Sequence, residues 1–242
     1  MTISTGALEG RTALVTGASR GIGAAVARGL ARHGARVALL ARGEAALRTL
    51  ADELDGDALV VPCDVQDAAA TERAVATLTQ RFDGGPDIVV NNAGAFMIAA
   101  AHKTSVADFR ATLEINLIVP FALVRAFVPR MRERARGHIV TIGSIADRAI
   151  FPGNAAYSAS KYGLRAMHEV LRAELVGSGV RASLVSPGPV DTAIWDEIDP
   201  DNRPGFTPRA KMLSADAVAD AVMYVVTAPD EVNVDELRMS RS

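Results

Sequence analysis

The 242-residue chain, 49% hydrophobic and 22% charged, has ordinary globular composition, which excludes a disordered or fibrous protein. Its 28 acids against 26 lysines and arginines give a net charge of −2, so no global positive field draws it to nucleic acid or an anionic membrane. A single cysteine, Cys63, excludes an internal disulfide. Residues 1–11 lack a leader's basic segment and apolar run, and no apolar run approaches the roughly 18 residues of a membrane span, so the sequence reads as cytoplasmic.

In chain order, apolar or near-apolar runs occupy 12–15, 36–40, 58–61, 88–90, 138–142 and 181–185. Such continuous runs form strands covered on both faces. Between them lie helical patterns, such as Ile22, Val26 and Leu30 at i, i+4 spacing before Gly34. The alternation predicts one doubly wound α/β domain over 1–242, a parallel sheet of about seven strands with helices on both faces. No linker divides the chain and no repeat has a fixed period.

The first strand runs into Thr16-Gly17-Ala18-Ser19-Arg20-Gly21-Ile22-Gly23 and then a helix. A strand, a glycine turn and a helix N-terminus make an anion site, because free backbone N–H groups and the helix dipole converge on one spot. Glycine is needed where the backbone approaches a pyrophosphate and where the helix packs on the sheet. The second strand ends Leu39-Leu40-Ala41-Arg42. An acid there would accept the ribose 2′-hydroxyl of NAD, whereas a cation accommodates the 2′-phosphate of NADP. Arg42 and Arg20 are either a phosphate pair or two solvated surface arginines, and their two positions favour NADP(H).

Residues 105–136 are long for one helix, and Pro120 should bend or interrupt it. Asn116 lies inside this apolar pattern and needs polar partners, for which a water-bridged backbone group would serve. Ser144 follows the 138–142 strand, where a hydroxyl can donate to a carbonyl oxygen gaining charge as hydride arrives. A long helical pattern beginning near Asn154 then carries Tyr157 and Lys161, one turn apart on one face. Lysine is otherwise found only at Lys103 and Lys211. A compact ammonium beside a tyrosine lowers the phenol's pKa toward neutrality, as a general acid/base needs. The stretch 187–211 carries five prolines and breaks the alternation, as a lid does.

The glycine spacing T-G-x-x-x-G-x-G resembles that of the short-chain dehydrogenase/reductase family, and so does the order of Cys63-Asp64-Val65, Asn91-Asn92-Ala93-Gly94, Asn116, Ser144, Tyr157, Lys161 and Pro187-Gly188-Pro189-Val190-Asp191-Thr192. The resemblance implies a Rossmann-type fold and metal-free hydride transfer between nicotinamide C4 and a substrate carbon. Tyr157 would move the proton, Lys161 would depress its pKa and hold the nicotinamide ribose, Ser144 would polarise the carbonyl, and Asn116 would hold a relay water. Cofactor contacts would come from Gly17, Ser19, Arg20, Gly21, Ile22, Gly23, Arg42, Asp64, Val65, Asn91, Ala93 and Gly94, with Pro187, Gly188, Val190 and Thr192 toward the nicotinamide. Pairing into a homodimer or homotetramer through the helices carrying Asn116 and Tyr157 is also implied. The four histidines, His33, His102, His138 and His168, show no ligand spacing.

The sequence departs from the family pattern where Gly143 replaces a common Ser and Asp147 a common Gly, which puts Asp147 at the expected substrate mouth. Substrate contacts are expected from Phe96, Ile145, Ile150, Phe151 and Asn154 and from a lid beginning Ala193-Ile194-Trp195, with Trp195 either covering the substrate or anchoring the loop. Asp196, Glu197, Asp199 and Asp201 would repel an acidic carrier protein, which favours a small free ketone or aldehyde, or the matching alcohol or hydroxy acid. A 3-oxoacyl-thioester reductase is the alternative enzyme, and an NADP-binding sensor the non-enzymatic one.

Overall fold

The computed structural model describes residues 6–54 and 57–242; the first five residues of the N-terminal stretch read above lie outside it. Its strands are β1 Thr12–Thr16, β2 Arg36–Ala41, β3 Leu59–Pro62, β4 Ile88–Asn91, β5 Gly137–Ile142, β6 Val180–Pro187 and β7 Glu236–Met239. They form one parallel sheet in the order β3-β2-β1-β4-β5-β6-β7. The winding reverses between β1 and β4, and ligands bind beyond the strand C-termini at such a point.

Successive residues of the central strands serve opposite cores, which is why the runs are apolar throughout rather than alternating. Ala13, Val15, Val90 and Val140 face α1 (Gly21–Arg32), α2 (Glu44–Glu53) and α7 (Ala215–Val226). Leu14, Val89 and Ile139 face α3 (Ala68–Arg81), α5 (Val119–Glu133) and α6 (Ala155–Glu174). Helix starts are capped where the sequence allows, with the side chains of Asp67, Ser105 and Ser214 accepting backbone N–H bonds ahead of α3, α4 (Val106–Leu113) and α7.

The 105–136 segment is interrupted just ahead of Pro120 rather than at it. A π turn over Glu114–Ile118 joins α4 to α5, with Val119 N–H bonded to Glu114 O. Pro120 has no N–H to offer the carbonyl four residues back, so the regular ladder cannot run through this point. The helical run Val106–Glu133 is by length and composition apolar enough to cross a membrane, with a mean hydropathy of 1.7 over an 18-residue window, 44% of which is buried in the fold. Its Leu123, Phe127 and Met131 cover the sheet, while Ile118 and Phe121 stay exposed alongside Arg125 and Arg130.

Two histidines are buried in these layers. His138 Nε2 lies 2.8 Å from Ser183 Oγ, and His168 Nδ1 lies 3.0 Å from Thr141 Oγ1. Burial pushes His138 well below its ordinary value near 6.5 and His168 down to about 4. The unfolded chain therefore takes up protons near pH 6.5 that the folded chain refuses, so stability is fully present above that pH and is lost as pH falls toward 4. For His168 the loss reaches about 3 kcal/mol. Urea unfolding between pH 7 and 5 should show this decline, and His168→Gln should flatten it; an unchanged slope would refute the assignment.

Candidate active site

The crevice at the switch point starts with the glycine turn. Gly17 has φ +67, and a Cβ there would stand 2.9 Å from Ala93 Cα. A Cβ on Gly23 would stand 2.3 Å from Gly17 O, so neither position tolerates a side chain. Thr16 Oγ1 accepts from the N–H groups of Asn92 and Ala93, and Asn92 Nδ2 donates to Thr16 O at 2.8 Å. These bonds lock the ends of β1 and β4 side by side beneath the N-terminus of α1.

A cleft of about 900 Å3 runs across the strand C-termini. One end is walled by Arg20, Arg42, Asp64 and Val65; the middle by Gly17, Ser19, Gly21, Ile22, Ala93 and Gly94; the other end by Ser144, Tyr157, Lys161, Pro187, Gly188, Val190 and Thr192. Three expected cofactor or catalytic residues are not on its wall. Gly23 lies under the turn, Asn91 is buried with no partner for its side-chain amide among the described residues, and Asn116 stands behind the wall. Asn92, quoted in the motif but not singled out from the sequence, is the member of the Asn91-Asn92 pair that lines the cleft. Neither Arg20 nor Arg42 has an acidic partner among the described residues, which leaves two exposed guanidinium groups beside a half-polar groove.

At the reacting end, Ser144 Oγ accepts from Ala146 N at 3.2 Å and caps the short turn Ile145–Asp147. Tyr157 and Lys161 come from the first turns of α6, and Lys161 Nζ donates to Ile142 O at 3.0 Å while lying 5.8 Å from the Tyr157 ring centroid. Asn116 is satisfied directly rather than through water. Its Oδ1 accepts from Ala95 N at 2.8 Å, and its Nδ2 donates to Ala95 O and Ser160 Oγ, both at 2.9 Å. Ser160 in turn donates to Tyr157 O at 2.7 Å, so the π turn clamps the helix that bears the tyrosine.

The electrostatics correct one expectation. Burial raises the Tyr157 phenol above its ordinary value near 10, Ser144 draws it down in part, and Asp147 pushes it up. Burial also lowers the Lys161 ammonium to about 8, against a smaller lift from Asp147.

Asp147 is also placed differently from the expectation. It is 1% exposed and faces β6 and β7 rather than the mouth. Its carboxylate accepts from Ser186 Oγ at 2.9 Å and from Arg148 Nε at 2.6 Å, and Arg148 continues to Glu236 on β7. The chain behind Ser144 is thus tied to the sheet edge.

Of the residues expected at the substrate, Phe96, Ile145, Phe151, Asn154 and Trp195 line the cleft, whereas Ile150 is 76% exposed and lies outside it. Trp195 fills both roles considered for it, lining the cleft while its Nε1 donates to Val190 O at 2.9 Å. Of the lid acids, Asp196 pairs with Arg209, Asp201 accepts from Arg209 N, Asp199 accepts from Asn202, and Glu197 is exposed. Phe206 and Thr207 also line the cleft, reached only through the fold of the lid.

A Rossmann-type sheet with this cleft at its switch point defines the class of nucleotide-binding α/β proteins. Within that class the chain belongs to the short chain dehydrogenase family, whose model matches residues 11–203. It is 34% identical over 231 residues to an uncharacterized oxidoreductase of Staphylococcus aureus (strain MW2), covering 95% of this chain and 96% of that protein. Among solved structures, a metagenomic short-chain oxidoreductase in complex with NADP is 33% identical with TM-score 0.84, covering 98% of this chain and 99% of that one. A gluconate 5-dehydrogenase from Burkholderia cenocepacia J2315, in complex with NADP and tartrate, is 29% identical with TM-score 0.85, covering 96% and 94%.

Proposed function

We propose that the chain is a single-domain NADP(H)-dependent oxidoreductase that reduces a small ketone or aldehyde, or oxidises the corresponding alcohol. The observation that carries this reading is one cleft with two unpaired arginines at one end and Ser144, Tyr157 and Lys161 at the other. Gly17, Ser19 and Gly21 line the cleft at the N-terminus of α1, whose first turn has no side-chain cap and no acid, so the groups present fit the pyrophosphate of the dinucleotide. Arg20 and Arg42 hold the 2′-phosphate, Asp64 and Val65 the adenosine, and Lys161 and residues 187–192 the nicotinamide half. NADPH, when bound, supplies the hydride.

The chain's own groups handle the proton and the oxygen. A phenol raised above 10 is protonated at neutral pH, so Tyr157 is ready to donate to a carbonyl oxygen as that oxygen gains charge. Ser144 adds a second donor to the same oxygen. The Asn116 side chain has no donor left for a relay water, so it acts by holding α6 and Ala95 in place.

Arg42→Ala should weaken NADPH binding about 10- to 100-fold and leave NADH nearly unchanged, because only the former carries the phosphate that a charge-assisted bond recognises. Isothermal titration with each dinucleotide measures this, and equal losses would overturn the choice of cofactor. The open apolar side chains of Ile118, Phe121, Tyr162 and Val170 on α5, its preceding turn and α6 support pairing into a homodimer or homotetramer. Light scattering that returned a monomer at micromolar concentration would refute it. A cytoplasmic location agrees with one buried thiol, and recovery of the chain in the soluble fraction of lysed cells tests it.

A further inference from the structure

We infer that the substrate is an uncharged carbonyl compound bearing an aromatic or comparably bulky apolar ring, seated against Phe96, Trp195 and Phe206; this rests on the oxidoreductase reading above. The apolar wall begins at the ring of Tyr157. The Phe96 ring stands edge-on to Tyr157 with centroids 4.7 Å apart, Trp195 is edge-on to Phe96 at 5.1 Å, and Phe206 follows at 6.4 Å. These rings line the cleft half-exposed, so each offers apolar surface that nothing in the described chain covers. The one polar atom of Trp195 is spent on Val190 O, which fixes the indole and leaves its carbon surface to the ligand.

The cations argue the same way. A carboxylate substrate needs a guanidinium or ammonium near the reacting end. Arg20, Arg42 and Lys161 are the cations on the cleft wall among the described residues; Arg42 follows β2, across the sheet from Ser144 after β5, and Arg20 lies in the glycine turn after β1. Lys161 already donates to Ile142 O and is depressed by burial. Arg209 is held by Asp191 and Asp196, Arg148 by Asp147 and Glu236, and Arg203 stacks 4.9 Å from the Phe206 centroid without lining the cleft. Asn154 and Thr207 are the polar side chains on the substrate wall beyond Ser144 and Tyr157, apart from Thr192 on the nicotinamide side, too few for a polyhydroxylated acid. The binding chemistry thus differs from what a gluconate or tartrate would need.

The reaction balances as ketone plus NADPH plus a proton giving alcohol plus NADP+, with the hydride forming the new C–H bond and the Tyr157 proton the new O–H bond. Initial rates of NADPH oxidation with 1-phenylpropan-2-one, acetone, pyruvate and 5-ketogluconate test the assignment on the unaltered protein. The aryl ketone should exceed pyruvate and 5-ketogluconate by at least about 100-fold in kcat/KM. Trp195→Ala should lower kcat/KM about 10-fold for the aryl ketone, chiefly through KM, and by a smaller factor for acetone; Phe206→Leu should act the same way more weakly. Either charged probe turning over as well as the aryl ketone would overturn the inference and leave the oxidoreductase reading standing. Absence of Tyr157-dependent NADPH oxidation with every probe would overturn both.

Discussion

Tyr157→Phe should lower kcat by about 10³-fold in the reductive direction while leaving the Kd for NADPH within about twofold. In free energy this is about 4 kcal/mol of transition-state stabilisation, within reach of one general acid acting beside one further donor. The substitution removes a single oxygen. The Phe96 contact at 4.7 Å is between rings and survives, and the clamp from Ser160 Oγ goes to the backbone oxygen of residue 157, so the local packing has no reason to change. The direction of the pKa shift adds a pH signature. Because burial holds the phenol above 10, reduction should run on a plateau through neutral pH, whereas alcohol oxidation, which needs the phenolate, should climb as pH rises from 7 toward 9. Single-turnover rates for both enzyme forms, with fluorescence titration of NADPH, measure the two halves. Residual activity of Tyr157→Phe within tenfold of the parent would remove Tyr157 from the proton transfer.

Most of what surrounds this tyrosine was legible in the sequence because it is local. Six strands are marked by apolar or near-apolar runs, and the glycine loop, Ser144 and the Tyr157–Lys161 turn each sit at an element boundary that the sequence marks. The seventh strand was not placed by residue. Glu236–Met239 is an edge strand with exposed Glu236 and Arg238 alternating with half-buried Leu237 and Met239, so it lacks the continuous run that marks the others. Contacts between distant residues were hidden as well. Asn116 meets Ser160 across 44 positions, and Ser186 meets Asp147 across 39. An asparagine in an apolar helix signals that a partner must exist, but not which one. Asp147 read as a mouth residue because spacing places a backbone, and only the turn after Ser144 decides that its carboxylate points at the sheet edge. The raised phenol was invisible for a related reason: the sequence sets the lysine one turn away, while burial of both groups decides their protonation.

Lys161→Met should cost at least about 100-fold in kcat and yet make the protein more stable at pH 7. The lysine is 6% exposed, and burial lowers its ammonium from an ordinary 10.5 to about 8. At neutral pH it is still mostly charged, so the fold carries a buried cation at a cost of about 3 kcal/mol, the free-energy equivalent of that shift. The bond from Nζ to Ile142 O returns about 1 kcal/mol, which leaves a net gain of about 1–2 kcal/mol when methionine of similar length takes its place. Between pH 8 and 10 the unfolded lysine holds a proton that the folded one has released, so the parent protein gains stability as pH rises through this window. Above about 10 the raised phenol of Tyr157 reverses the trend, because the unfolded tyrosine then ionises first. The advantage of Lys161→Met should therefore be largest at pH 7, vanish at about pH 9 and turn in favour of the parent by about 1 kcal/mol at pH 10. Arginine at this position would fail on both counts, since a guanidinium cannot shed its proton and its planar fork is bulkier than the ammonium. Guanidinium unfolding of the parent and the methionine variant at pH 7, 8.5 and 10 reads the difference directly, and a variant less stable than the parent at pH 7 would show that the buried ammonium supports the fold instead of burdening it.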